Sequence, residues 1–223
     1  MYIKQDSGLL MLRGFRSGIS IWTENLKRYE KDMEGFLNKK LKQFECCDPS
    51  IISDYEQYHE EYIELKDEFP LIFRSSLFIT CYSFFEFELS IMCKTFFKRY
   101  PRKPTFKSYK NNRNRTSSIE LIIDYFNNIY MINLKDNSKY FSDIIIYNKL
   151  RNNILHNAGR LVQNYDEITN FINSNNNKSK INVNNYGLII FTKEFVKDVI
   201  CVVNSFFEEF FGELATWIRS QAK

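Results

Sequence analysis

The 223-residue chain contains few of the residues that interrupt helices, with only seven glycines and four prolines. An all-β fold needs many more turn residues than this, so the composition excludes that class. Hydrophobic residues make up 44% of the chain, which is enough to bury a sizeable core. With its long periodic apolar segments, the sequence predicts an all-α fold, an up-and-down helical bundle, in a single domain over residues 1–223.

The patterns of metal and disulfide sites are also missing. The five cysteines form neither a zinc-binding spacing nor an even set for disulfides, which indicates a reduced, cytoplasmic protein. Of the two histidines, His59 has no second histidine one helical turn away, so we expect no metal site there. The sequence has no nucleophile elbow around a serine or cysteine and no glycine-rich phosphate loop, and we expect no cofactor.

Neither a signal peptide nor a membrane span is expected. Charged side chains interrupt residues 1–20. The most hydrophobic stretch is Leu71–Phe97, but its uncharged run, Ser75 to Phe85, is far shorter than the roughly 20 residues that a span requires. We therefore predict that this stretch forms a buried core helix and that the protein has no membrane partner.

Apolar residues at alternating steps of three and four predict two long helices in residues 1–70, which we expect to pack as an antiparallel pair. The break between them falls near Asp48 and Pro49. The second helix should end at Pro70, because a proline disfavours a helical conformation of the residue before it. The apolar positions of the pair are Trp22, Leu26, Tyr29, Met33 and Phe36 in the first helix, and Tyr55, Tyr58, Tyr62, Leu65 and Phe69 in the second.

Helix and turn signals divide the core that follows this N-terminal extension, residues 71–219. Ser117 and Glu120 have the spacing of a capping box, which predicts a helix that runs to Ile129. Another helix should begin near Asp143 and end at Ala158 and Gly159, where glycine adopts a left-handed conformation. The remaining predicted segments are a polar turn at 135–139, a small β-hairpin at 181–191 and a last helix at 193–219 that Thr192 caps.

The net charge of +4 is unevenly distributed. Residues 98–115 hold eight basic residues and no acidic one, which leaves 23 basic against 27 acidic residues in the rest of the chain. This basic loop would attract a polyanion, and Tyr100, Phe106 and Tyr109 could stack on the bases of single-stranded RNA. A flexible, solvated loop is the alternative. The candidate RNA-binding residues are Lys103, Lys107, Lys110, Arg113 and Arg115.

The segment Arg151-Asn152-Asn153-Ile154-Leu155-His156 carries the most chemical information, because it places a permanent cation and a histidine near a predicted helix end. Histidine exchanges a proton near neutral pH, and the arginine fork fits phosphate oxygens. On a helix these two residues are about 140° apart, whereas Asn152 shares a face with His156 and can orient its imidazole. A histidine that satisfies terminal carbonyls or simply packs is the alternative. The residues expected to face the core are Leu150, Ile154 and Leu161.

Cleavage of RNA by its own 2′-hydroxyl requires a base, an acid and a cation that stabilises the charge on phosphorus. One histidine cannot readily serve as both base and acid. If two chains pack about a twofold axis with these helices facing each other, the composite site contains two copies of Arg151 and two of His156, and it needs no metal. Glu86, in an otherwise apolar segment, is the predicted partner of Arg151; the alternative is that it reaches solvent at the edge of the bundle.

The motif, preceded by the apolar helix that contains residues 77–86, resembles the HEPN superfamily, whose members are similar in a helical bundle and in an Arg, polar residue, few residues, His signature. The resemblance covers residues 71–219 and implies a homodimeric, metal-independent endoribonuclease, often a toxin or an antiphage effector. Arg151 and His156 match the signature, and Asn152 matches its polar second position. Glu86 loosely matches a polar residue that some members place on the preceding long helix. A regulating antitoxin or sensor protein is compatible with this resemblance.

Two other functions stay open at the level of sequence. A non-catalytic HEPN-like module would bind RNA or a partner protein, and a structural scaffold would use its tyrosine and phenylalanine stripes to pack against partner helices. Replacing His156 with alanine separates these functions. Only a nuclease loses RNA cleavage while folding and dimerisation are retained.

Overall fold

The computed structural model describes residues 2–46, 55–111, 117–174 and 177–221, and it confirms the predicted all-α class. Most of these residues are helical, and a small β-hairpin precedes the last helix, as expected. The helices are α1 (Tyr2–Glu45), α2 (Tyr55–Ile63), α3 (Phe69–Arg99), α4 (Phe106–Asn111), α5 (Ser118–Tyr125), α6 (Leu134–Asn137), α7 (Phe141–His156), α8 (Tyr165–Asn173) and α9 (Lys193–Ser220). Two π-helical turns, Glu64–Glu68 and Phe126–Tyr130, follow α2 and α5.

The hairpin consists of β1 (Ile181–Val183) and β2 (Ile189–Phe191), which pair antiparallel with Ile181 opposite Phe191. The outer residues of β2, Ile189 and Phe191, are buried, so the hairpin has one apolar face. Thr192 follows β2 at once and accepts a hydrogen bond from the backbone N–H of Phe195 at 3.3 Å. The predicted cap of the last helix is thereby confirmed.

The chain forms two compact units, each built from separate stretches of sequence. Unit 1 contains Met1–Thr23, Tyr82–Asn148 and Cys201–Lys223, and unit 2 contains Glu24–Cys81 and Lys149–Ile200. Neither unit begins or ends at residue 70, where the sequence predicts that an N-terminal extension meets the core. This division, and the single domain over residues 1–223, stay predictions. Among the cysteines that the structure describes, Cys93 in unit 1 and Cys81 in unit 2 are buried, whereas Cys201 and Cys46 are exposed.

Aromatic rings fill the core of unit 1. Phe96 is fully buried and contacts the rings of Phe126, Tyr130 and Trp217 at centroid distances of 5.3 to 5.5 Å. Such pairs add about 0.5–1.5 kcal/mol each beyond the burial of their area. Nearby, Ser117 forms the predicted capping box of α5 with Glu120, and both of its reciprocal bonds are present.

Unit 2 combines an aromatic core with a buried ion pair. The rings of Phe78, Phe191 and Phe195 pack on one another, and Phe44 near the end of α1 contacts Tyr58 in α2, as an antiparallel pair requires. Two further side chains of the same unit form a bidentate pair, with the Arg74 guanidinium 2.7 and 2.9 Å from the Glu34 carboxylate.

Pro70 does not end a helix, so the prediction at this position is wrong. The chain is helical without a break from Tyr55 to Arg99, with Pro70 in the first turn of α3. In the π-helical turn before it, the N–H of Phe69 bonds to the carbonyl of Glu64, five residues earlier. Because the hydrogen-bond ladder already departs there from its four-residue spacing, the N–H that proline lacks is not needed to continue the helix.

The buried face of α1 also differs from the predicted one. Tyr29 and Phe36 are each 51% exposed, whereas Glu30 and Glu34 are buried. Glu34 is tolerated in the interior because Arg74 neutralises it, a partner that lies 40 residues away in the sequence. Leu26 is buried as predicted, but the buried positions after it each lie one residue beyond the predicted ones; they are Glu30, Glu34 and Leu37. Sequence periodicity assigns charged residues to the solvated face and therefore misplaces this part of the stripe.

Besides α4, which lies in the segment expected as a basic loop, two short helices were not predicted. α6 occupies part of the segment expected as a polar turn at 135–139, and α8 follows the motif helix. In α8, Ile168 and Ile172 are buried and one turn apart, so this helix carries the amphipathic signal that the sequence analysis missed.

Among the described residues, one helical segment, Tyr55–Arg99, is long and apolar enough to cross a membrane, with a mean hydropathy of 1.3 over 18 residues. Of that window, 44% is buried inside the protein. The core helix of a soluble protein has the same length and composition, so the segment is weak evidence for a span. Phe78, Phe85 and Leu89 are fully buried, as expected of a core helix.

Candidate active site

Helix α7 presents the motif at its C-terminal end, with His156 as its last residue. The two residues of the predicted stop, Ala158 and Gly159, adopt left-handed conformations with φ of 51° and 79°. The backbone N–H of Gly159 bonds to the carbonyl of Ile154 at 3.2 Å. The predicted end of the helix is confirmed, and it places His156 in the last turn.

Asn153 fixes the chain behind the motif, a role that the sequence analysis did not foresee. Its side chain is fully buried, and its carbonyl oxygen accepts hydrogen bonds from the backbone N–H groups of Val162 and Gln163, each at 2.9 Å. Its amide nitrogen donates to the carbonyls of Lys149 and Gln163. A fully bonded asparagine thus ties the end of α7 to the loop that leaves it.

The β-hairpin holds the same loop from the other side. The N–H of Leu161 bonds to the carbonyl of Gly187 at 2.9 Å, and the N–H of Ile189 bonds to the carbonyl of Gly159 at 3.0 Å. Arg160 and Leu188 form an isolated β-bridge. These bonds make residues 159–161 a third strand-like segment beside the hairpin. The turn after His156 is therefore hydrogen-bonded to the hairpin as well as to Asn153.

The motif residues spread over about 140° of the surface of α7 within unit 2, a region called the motif face from here on. At about 100° per residue, Leu155 lies about 40°, Asn152 about 100° and His156 about 140° from Arg151 around the helix axis. His156 is exposed, and both Arg151 and Asn152 are half-buried. A terminal guanidinium nitrogen of Arg151 donates to the side-chain oxygen of Asn152 at 3.1 Å. The cation and its neighbouring amide are therefore held together, with the imidazole at the far edge of the same face.

The core-facing side of the motif differs in part from the prediction. Leu150 is fully buried as expected, but Ile154 and Leu161 are only half-buried, and the other fully buried residue of the motif region is Asn153. Leu155 is 45% exposed, in the middle of the motif face. An apolar side chain in the centre of a polar face is a feature that the sequence analysis did not use.

The predicted acidic partner, Glu86, lies on α3 in unit 1, and Arg151 lies in unit 2. Glu86 is half-buried. Its pairing with Arg151 stays a prediction. The other acid of this helix, Glu88, is also half-buried, and its partial burial raises the pKa of its carboxyl group above the usual value.

The basic segment contains helix α4, which the sequence analysis expected as a loop. Tyr109 is buried, and the rings of Phe106 and Tyr109 both pack on Tyr125, so these rings are not available to stack on RNA bases. Tyr100 likewise packs on Phe96 and Trp217. The predicted stacking is therefore wrong. Lys103, Lys107 and Lys110 are exposed, and Arg113 and Arg115 lie outside the described residues.

Within the described residues, no group of three or more histidine, cysteine, aspartate or glutamate side chains is placed to hold a metal ion. The groups that the site offers for chemistry are one imidazole, one guanidinium and two amides on a supported helix end. Comparison of the chain with protein-family models, with curated proteins and with solved structures found no match.

Proposed function

We propose that the protein is a metal-independent endoribonuclease of the HEPN type, acting as a toxin or antiphage effector. The observation that carries the proposal is the arrangement of α7, where Arg151 is hydrogen-bonded to Asn152 and His156 lies about 140° away around the axis, at a helix end that Asn153 ties down. A rigid platform of this kind suits catalysis, because the reacting groups must keep a productive geometry.

In the proposed reaction the 2′-hydroxyl of RNA attacks the adjacent phosphorus, and the bond to the 5′-oxygen breaks. The imidazole of His156 exchanges the protons, and the guanidinium of Arg151 stabilises the negative charge that develops on the phosphate oxygens. The products are a 2′,3′-cyclic phosphate and a 5′-hydroxyl end. Asn152 is a positioning residue, since its carbonyl accepts a hydrogen bond from Arg151.

The proposed site is completed by a second copy of the chain. Arg151 and His156 are about 140° apart on their helix, so one chain cannot easily direct both at the same phosphate. Leu155 lies between them on this face and is 45% exposed. Burying this side chain against its twofold-related copy would bring two motif faces together and supply both an acid and a base.

We also propose that the exposed amines of Lys103, Lys107 and Lys110 contact RNA phosphates. Lys107 and Lys110 are one turn apart on α4, and the aromatic residues of that helix pack inward. The expected contribution is electrostatic and does not depend on base identity. Neutralising these lysines should weaken RNA binding and flatten its dependence on salt concentration, and an unchanged salt slope would refute this role.

The experiment that tests the nuclease proposal is incubation of the purified protein with total RNA in excess EDTA, followed by identification of the product ends. The wild type should yield 2′,3′-cyclic phosphates, and the His156→Ala variant should yield none. His59→Ala is the matched control, because it removes the other histidine from an exposed helical position. Equal cleavage by wild type and His156→Ala would exclude the proposal. No cleavage by a folded dimer would favour a non-catalytic module that binds RNA or protein.

A further inference from the structure

Unit 1 contains a groove of about 340 Å³ between the first part of α1 and the last part of α9. Three arginines line it, Arg13 and Arg16 from α1 and Arg219 from α9. None of these residues belongs to the basic segment 98–115, and none belongs to the motif on α7. The groove therefore brings together cations from the two ends of the sequence.

The charge of the groove is only partly neutralised by the protein. Arg16 forms a bidentate pair with Glu208, with nitrogen to oxygen distances of 2.5 and 3.1 Å. Within the described part of the chain, neither Arg13 nor Arg219 pairs with a carboxylate. Guanidinium groups gathered in one groove repel each other, and a bound anion would relieve that repulsion. Planar guanidinium forks match the oxygens of a phosphate.

One wall of the groove is apolar and preformed. Leu9 and Ala215 are half-buried and present apolar surface to the groove, whereas Leu12 and Phe211 also line it but are only 4% and 3% exposed. Gly212 lines the groove on its α9 side, and a Cβ atom there would meet nothing within 4 Å, so a larger side chain fits at this position. A volume of this size is at the lower end of small-ligand pockets, which begin at roughly 300 Å³. Inorganic phosphate would occupy only part of this volume, whereas a nucleotide would also place its base or sugar on the half-buried Leu9 and Ala215.

We propose that this groove binds a nucleotide, with the phosphate at Arg13, Arg16 and Arg219 and the base or sugar against Leu9 and Ala215. The nucleotide is either a free mononucleotide or one unit of an RNA strand, since both present the same chemistry. Glu208 holds the guanidinium of Arg16 in place for this contact. The proposal does not depend on RNA cleavage, because the groove contains no residue of the motif.

Calorimetric titration of the full-length protein tests the proposal with three probes: AMP, adenosine and an adenosine pentanucleotide. The His156→Ala background keeps the pentanucleotide uncut. We expect AMP to bind at least about tenfold more tightly than adenosine, because only AMP carries a charged phosphate. Tighter binding of the pentanucleotide than of AMP would identify an RNA strand as the ligand, and the reverse order would identify a mononucleotide. Absence of binding by both AMP and the pentanucleotide would overturn the proposal.

Two variants and one control locate the binding. Arg13→Gln combined with Arg219→Gln removes the unpaired cations, and Gly212→Leu fills the groove without changing charge. Each should weaken AMP binding by at least about tenfold while the helical circular dichroism spectrum is retained. Arg28→Gln combined with Lys39→Gln removes the same charge from exposed positions of α1 in unit 2, and it should bind AMP like the wild type. An equal loss in this control, or normal AMP binding by Gly212→Leu, would contradict the proposed location.

Discussion

Asn153 is the residue whose role is most clearly defined by its contacts. It is fully buried and accepts two backbone hydrogen bonds from the loop after α7. Replacing it with alanine would leave the N–H groups of Val162 and Gln163 without this acceptor. We expect Asn153→Ala to lower the free energy of unfolding by about 2–3 kcal/mol, measured by urea denaturation.

Asn152→Ala is the natural control for this change, because Asn152 is the adjacent asparagine and is only half-buried. It should cost less than about 1 kcal/mol, since its single described bond is with the half-buried Arg151. Equal destabilisation by the two variants would mean that the tie between α7 and its loop contributes little.

Glu30 should make stability depend on pH. The residue is 2% exposed, and its Oε1 atom lies 3.8 Å from the amine of Lys197. Burial raises the pKa of this carboxyl group above its ordinary value of 4.5; the charge of Lys197 opposes the rise and that of Glu34 adds to it. The folded state therefore keeps the proton to a higher pH than the unfolded state. As pH increases from 4.5 through the raised pKa, the free energy of unfolding falls.

A glutamine at position 30 cannot ionise, so it should remove the fall in the free energy of unfolding that the Glu30 carboxylate causes as pH rises. We expect Glu30→Gln to have a higher midpoint of thermal unfolding than the wild type at pH 7, and the difference should shrink below pH 4.5. Scanning calorimetry over this pH range measures it. Glu24→Gln, at a side chain that is 63% exposed, should leave the midpoint nearly unchanged. A lower midpoint for Glu30→Gln at pH 7 would show that attraction to Lys197 outweighs burial.

Individual residues were predictable where their role is local. Ser117 and Gly159 act through neighbours within a few positions, and both were identified from the sequence. Glu34 and Asn153 were not identified, because their burial depends on partners that sequence spacing does not reveal. The partner of Glu34 is 40 residues away, and the bonds of Asn153 reach 9 and 10 residues along the chain.

At the scale of elements, the capping box of α5 allows a direct measurement. The Ser117 hydroxyl accepts a hydrogen bond from the N–H of Glu120 at 3.2 Å, and the Glu120 carboxylate accepts one from the N–H of Ser117. Ser117→Ala should destabilise the protein by about 1 kcal/mol in urea denaturation, because it removes a helix cap. Ser118→Ala changes the next residue, which is exposed and inside the helix, and should cost almost nothing. A similar loss in both variants would exclude capping as the cause.

The predicted elements agree with the structure where their signals are strong, and they fail where hydrogen bonding overrides a local rule. The hairpin and the last helix were found within a residue or two of their observed bounds. Pro70 was taken as a helix end, because sequence alone does not indicate a π-helical turn beside it. α8 begins at Tyr165, directly after Asn164 and with Glu167 three residues later, so the sequence does contain a start signal even though the Asn164 side chain forms no capping bond.

At the scale of the whole molecule, the proposed composite site requires dimerisation. Leu155 is 45% exposed on the motif face, and a charged residue there would have to be buried in the proposed interface. We expect Leu155→Glu to be monomeric in light scattering and to lose RNA cleavage. Ile21→Glu, at a position that is 62% exposed on α1, should stay dimeric and active. A monomeric wild type that cuts RNA would contradict the composite site.

The distribution of charge is the property of the whole molecule that the sequence described least well. The run of basic residues at 98–115 is visible in the sequence, whereas the groove with Arg13, Arg16 and Arg219 brings together residues about 200 positions apart. The candidate catalytic residues on α7 lie within two helical turns of one another, so the sequence alone was enough to single them out as candidates. A groove assembled from both ends of the chain becomes visible only when the helices are packed.

The cysteines provide a kinetic probe of how the two units open. Of the thiols in the described ranges, Cys93 in unit 1 and Cys81 in unit 2 are buried, and a thiol reagent reaches a buried sulfur only when the surrounding structure opens. Cys201 and Cys46 are exposed and react without such opening, so they serve as internal standards for the reagent. Mass spectrometry of the labelled peptides then gives two opening rates from one natural chain. Equal rates would mean that the units open as one cooperative structure, and different rates would identify the less stable unit.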